Sequence, residues 1–395
     1  MGNRFTVRTS AEFDGEIDLA TLRKRTSEKW LHYPEEILPL FVAETDFPTP
    51  PAIARALRDA IEHGDLGYAQ PREALGEAYS EFSRAHYNHE PDPDAVLAVP
   101  EVMVGAAEIL RAITGPSDSI VINPPVYPPF FSTIAEVKRP IVEVPLLRSD
   151  LGEYSMNFVA VEKAFAAGAR VFLYCNPHNP VGRVAPREEV TRIAELAARY
   201  DVVVIADEIH APLVLPGATH TPFESVVDQT GVHAITLTSA SKGWNIAGLK
   251  CAIAVTSSDW GRSVFKRLPK VITERSGILG LIATIAAFAG DVPFLERVKK
   301  HLDVQRDTLR SLLDDYGLEK IRYTPPSASF LAWLDCRDLN LGPNPSAAFL
   351  NRGKVALVPG LAFGAQGAGF VRLNFATSTE ILEEAVRRMS STLSS

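Results

Sequence analysis

Thr238-Ser239-Ala240-Ser241-Lys242-Gly243-Trp244-Asn245 follows directly on a run that reads as a buried strand, residues 234–238. The lysine therefore emerges where a strand ends, among small hydroxyl side chains. An amine in that place is costly unless its ammonium reaches solvent or it is used covalently. A low-dielectric site that depresses its pKa makes it a nucleophile toward a carbonyl. Alone, Ser-x-Ser-Lys is a weak motif that many surface lysines share.

The same construction recurs along the chain. Residues 119–122 lead into Asn123-Pro124-Pro125-Val126-Tyr127, and 171–174 lead into Asn176-Pro177-His178-Asn179-Pro180. Residues 202–206 lead into Asp207-Glu208-Ile209-His210. Another short apolar run covers 96–99, and helical spacing is expected at about 104–113, around Phe130 and at 186–200. Strands alternating with helices predict an α/β fold with a mostly parallel sheet covered on both faces. Upstream, prolines at 48, 50 and 51 precede helices at about 52–62 and 72–86. Downstream come helices near 259–268, 277–289 and 292–316, then alternating segments at 329–334, 355–358 and 370–375 and a helix from Thr379. That texture predicts a large domain over 46–288 and a smaller α+β domain made from 1–45 together with 289–395.

Composition narrows the function. Forty basic against 48 acidic residues give a formal net charge of −8, which argues against nucleic acid as a partner. No apolar run approaches the roughly 20 residues of a membrane span. Residues 1–14 mix polar and charged side chains without the apolar centre of a signal peptide. Cys175, Cys251 and Cys336 have no metal-ligand spacing, so no metal is expected and a reducing cytoplasm is.

In open parallel sheets, ligands sit beyond the carboxyl ends of the strands. Tyr127, Asn179, Asp207, Ser239, Ser241 and Lys242 all stand at such ends. One cofactor, pyridoxal 5′-phosphate, can use every one of them. It needs a lysine for its aldehyde and hydroxyls for its phosphate. It also needs a carboxylate that keeps its ring nitrogen protonated, so that the ring can accept electrons. Asn179 could donate to the ring phenolate, Tyr127 could stack on the ring, and the helix from about Val104 offers amides to the phosphate.

Asn176-Pro177-His178-Asn179-Pro180-Val181-Gly182, Asp207-Glu208-Ile209-His210 and Ser239-Ala240-Ser241-Lys242 resemble the fold-type I pyridoxal-phosphate enzymes. Asp46-Phe47-Pro48-Thr49-Pro50, Gly67-Tyr68, Asn245-Ile246-Ala247-Gly248-Leu249-Lys250 and Arg372-Leu373-Asn374-Phe375-Ala376 extend the resemblance over nearly the whole chain. They narrow it to the cystathionine β-lyase branch similar to MalY and PatB. The resemblance implies that Lys242 carries the cofactor, that Asp207 pairs with its ring nitrogen and that Asn179 contacts its phenolate oxygen. It puts His210 beside the cofactor, where general aminotransferases carry tyrosine. Ser239, Ser241, Lys250 and the amides near Val104 and Gly105 would hold the phosphate. Tyr68 would reach the phosphate of a neighbouring subunit, implying a homodimer with shared sites. Arg372, with Asn179, would bind the carboxylate of an amino-acid substrate. Strand alternation agrees, turning Arg372 and Asn374 away from Val371, Leu373 and Phe375. Phe41, Glu44 and Thr45 depart from the usual Trp, Asp and Met of their segment. The reaction implied is β-elimination on an S-substituted cysteine. Amino transfer with the same lysine is the alternative, and a regulatory protein that only binds the cofactor is a third.

Overall fold

The computed structural model describes residues 17–70, 73–290 and 292–393; the readings of residues 1–14 and of a helix start at Arg72 lie outside them. The main sheet contains β1 Val96–Val99, β2 Ile120–Ile122, β3 Ile141–Glu143, β4 Val171–Cys175, β5 Val203–Asp207, β6 Ala234–Thr238 and β7 Ala252–Val255. Their order across it is β1-β7-β6-β5-β4-β2-β3. From β3 to β6 all pairings are parallel. β7 runs antiparallel to both its neighbours, and the sequence did not announce it. Residues 252–255 are a short apolar run that carries no mark of strand direction.

β4, β5 and β6 are buried along their whole length, because helices cover both faces of the sheet. The period of two sorts their side chains. Leu173, Ile205 and Leu237 face a layer containing Ile109, Leu110, Phe130 and Ile134 from the helices Val102–Ile113 and Pro128–Glu136. Phe172, Tyr174, Val204 and Ala206 face Val161, Phe165, Val190 and Ile193 from the helices Phe158–Ala166 and Arg187–Arg199.

A second, antiparallel sheet holds β8 Arg322–Tyr323, β9 Leu331–Asp335, β10 Val358–Pro359 and β11 Phe370–Asn374 in the order β8-β9-β11-β10. β11 is internal and all five of its residues are buried. The single strand expected at 355–358 is instead split. Val355–Ala356 pairs in parallel with Leu38–Pro39, while Val358–Pro359 joins β11. The run is continuously apolar, so its pattern does not mark where it changes partner.

The helix Ile278–Gly290 braces the loop that follows β6. A methyl group at Gly280 would collide with the Leu249 carbonyl, next to Lys250. Gly280→Ala gains about 1 kcal/mol of intrinsic helix propensity, but backbone cannot rotate aside as a side chain can. We expect a net loss on the order of 1–2 kcal/mol, read as a lower urea midpoint; an unchanged midpoint would refute the tight approach.

Candidate active site

Sheet register assembles the site. Cys175 stands opposite Asp207, and Asp207 opposite Leu237. The segments ending in Asn179, Asp207 and Lys242 therefore leave the sheet along one edge. They enclose a cavity of about 140 Å³ whose walls include Tyr127, Asn179, Asp207, His210, Ser239, Ser241, Lys242 and Lys250. Arg372 reaches this wall from the second sheet through Asn179, its Nη1 donating to Asn179 Oδ1 at 3.2 Å.

Burial sets the protonation of these groups. It pushes the Lys242 amine down to about 8, with Arg372 adding repulsion, so a sizeable fraction is neutral near physiological pH. It pushes the Asp207 carboxyl up to about 7, partly countered by the Ile209 amide that donates to Oδ1. The His210 imidazole is driven down to about 3 and stays neutral. Arg372, lowered to about 10 by burial, remains a cation.

A strap at residues 41–46 runs along the cavity, held by side chains that reach its backbone. Arg372 Nη2 donates to Phe41 O at 2.9 Å and Lys242 Nζ to Ala43 O at 3.0 Å. Asn374 Nδ2 spans Val42 O and Glu44 O at 2.7 and 2.6 Å. The Asn245 amide both accepts from Thr45 N and donates to Thr45 O, each at 2.9 Å. Beyond it, Asp46 is clamped by the buried Lys29 ammonium at 2.8 Å and by Trp30 Nε1 at 3.2 Å. Removing one partner from such a buried pair costs about 3–5 kcal/mol.

Several expectations need correction. The helix after β1 begins at Val102, not at Val104. Gly105 N already donates to Glu101 O at 2.9 Å, and its Cα faces Leu237 and Val99 of the sheet. Gly105 is therefore a close-packing residue, and neither it nor Val104 lines the cavity; Glu101, Val102 and Met103 do. Pro100, which ends the apolar run, was the signal for the earlier start. The Ser239 hydroxyl is committed to the loop, donating to Cys251 O at 2.8 Å and accepting from Ser241 N at 3.0 Å. Tyr68, by contrast, is expected at a neighbouring subunit's site rather than its own; it is 85% exposed, with Arg275 over its ring. Sequence reasoning also missed Ala43 and Cys175 in the wall.

A nucleophilic lysine, a buried carboxylate and a cation beside free helix amides, all at the strand ends of an α/β sheet, define an enzyme site that handles a carbonyl-bearing anion. The chain belongs to the aminotransferase class I and II family, which it matches over residues 35–389. It is 37% identical to a cystathionine β-lyase of Corynebacterium glutamicum, covering 95% of this chain and 99% of that one. It is 33% identical to the cystathionine β-lyase PatB of Bacillus subtilis, covering 91% and 93%. Among solved structures, cystalysin from Treponema denticola, which contains pyridoxal 5′-phosphate, superimposes with a TM-score of 0.89. That match has 27% identity and covers 96% of this chain and 98% of that one. No single helix among the described residues is long and apolar enough to cross a membrane.

Proposed function

We propose that this protein is a pyridoxal 5′-phosphate-dependent carbon–sulfur β-lyase. It converts cystathionine or a related S-substituted cysteine to pyruvate, ammonia and a thiol. The observation that carries the reading is one cavity holding a partly neutral buried lysine, a buried aspartate and a cationic anion cradle. Similarity to proteins named cystathionine β-lyase selects among the reactions such a site can run.

The donor set fits the cofactor. Lys242 would bind its aldehyde carbon, Asp207 its ring nitrogen and Asn179 its phenolate oxygen. Ser241, Lys250 and the amides of Val102 and Met103 would hold its phosphate. His210 Nδ1 and Arg372 Nε are buried without a partner among the described residues, which leaves hydrogen-bonding capacity for a ligand. When bound, pyridoxal phosphate supplies an electron sink that stabilises negative charge at a substrate Cα. The chain supplies the rest. Arg372, a buried cation held by Asn179 and Phe41, would grip the substrate carboxylate. Lys242 Nζ, kept basic but not fully protonated by burial, takes the Cα proton as general base. Tyr127 is raised by burial and stays a neutral phenol, suited to stacking rather than to proton transfer. The strap carbonyl of Ala43 accepts from the amine and holds it in place.

The same reading makes residues 46–288 the cofactor-binding domain and 1–45 with 289–395 the smaller one. It also makes the molecule a homodimer in which the exposed Tyr68 completes the neighbouring site. Three buried free cysteines suit the cytoplasm. Purified protein given L-cystathionine should release pyruvate and free thiol in equal amounts with no 2-oxo acid added. Amino transfer that requires a 2-oxo acid and releases no thiol would reassign it as a transaminase.

A further inference from the structure

Glu101 stands at the mouth of the anion cradle, and the proposed reaction gives it nothing to do. It is the N-cap residue of the helix Val102–Ile113, yet its side chain makes no capping bond. Its carboxylate pairs instead with Lys250 Nζ. Both residues line the same cavity as Ser241 and Lys242. Lys250 sits in the left-handed region at φ 57° after the turn Ala247–Leu249, whose Leu249 carbonyl packs against Gly280. The first amides of the helix have no acceptor within it.

Charge arithmetic gives Glu101 a consequence. A helix N-terminus is worth about half a positive charge. Lys250 adds one unit, and Glu101 takes one away. A phosphate dianion arriving at this cradle meets about a third of the positive charge it would meet without Glu101. It must also draw Lys250 from a carboxylate that already holds it.

We infer that Glu101 is a built-in competitor for the cofactor's phosphate, which weakens pyridoxal phosphate binding and makes the cofactor exchangeable. This rests on the cofactor reading above. Glu101→Gln keeps the size and removes the charge. It should bind pyridoxal phosphate on the order of tenfold tighter, the scale of screened repulsion between half-exposed groups. Release from the holoenzyme should slow by a similar factor. The gap should narrow as salt rises from low to about 0.5 M, because the Debye length shrinks. Glu101→Asp should retain the wild-type affinity. Glu108→Gln, which removes a charge paired with Arg111 on the same helix, should leave it unchanged.

The measurements are absorbance titration with pyridoxal phosphate and the rate of cofactor loss from desalted holoenzyme; neither depends on turnover. Equal or weaker binding by Glu101→Gln, with wild-type protein binding normally, overturns the role of Glu101 alone. Wild-type protein that binds no pyridoxal phosphate overturns the cofactor reading itself.

Discussion

Lys242→Ala should abolish cystathionine cleavage, with pyruvate release falling by at least about 10⁴-fold. A positioned general base alone contributes about 10²–10⁴, and this variant also loses the amine that would attach the cofactor. The loss should appear in kcat, because Arg372 and its anchors on Asn179 and Phe41 are untouched and can still bind a carboxylate. The yellow colour that borohydride removes from wild-type holoenzyme should be missing. The fold should survive, since the hydrogen bond that this amine makes goes to a single strap carbonyl, Ala43 O. Asn374 and Asn245 hold the strap on either side of that carbonyl. Circular dichroism checks the fold and steady-state pyruvate release checks the chemistry. Activity within about tenfold of wild type would remove Lys242 from the centre of the site.

The sequence disclosed Lys242 and Asp207 for a physical reason. Each is a polar residue at the end of a fully buried strand or just beyond it, and parallel strands deliver such residues to one edge whatever their exact register. Asn179 was legible in the same way through the run ending at Cys175. What stayed hidden depends on contacts between distant parts of the chain. Segment 41–45 could be seen to depart from its usual residues. That Asn245 and Asn374 hold its backbone could not be seen, because those bonds join residues 200 and 330 or more positions apart. The helix start was placed two residues late because it was read from its apolar period rather than from Pro100. Gly105 then looked available for a ligand, whereas its amide is spent on Glu101 O and its Cα packs closely on Val99 and Leu237. The pairing of Lys250 with Glu101 had no local signal at all, since 149 residues separate them.

Asp207→Asn should move catalysis and stability in opposite directions. The substituted side chain is a neutral isostere whose amide oxygen can accept from the Ile209 amide as Asp207 Oδ1 does at 3.1 Å, so the local backbone has no reason to change. The charge is what disappears. With the cofactor bound, that charge would favour a protonated ring nitrogen. Losing an electrostatic stabiliser of this kind should lower turnover on the order of 10³-fold. In the cofactor-free protein the same charge is a burden. Burial raises the folded carboxyl from 3.8 to about 7. Stability from this group is therefore fully present below about pH 3.8 and is lost as pH rises through 7. The unfolded chain ionises freely over that range, whereas the folded chain must ionise in a buried site. At about 1.36 kcal/mol per unit, a difference of about three units bounds the cost near ~4 kcal/mol, with solvent relaxation reducing it. Cofactor-free Asp207→Asn should then be more stable than wild type at pH 8 by at least about 1 kcal/mol. The advantage should vanish toward about pH 4. Urea unfolding of the two apoproteins at about pH 4, 6 and 8 measures this. A variant less stable at the alkaline end would mean that the folded chain holds Asp207 ionised, and burial could not then be what raises its carboxyl.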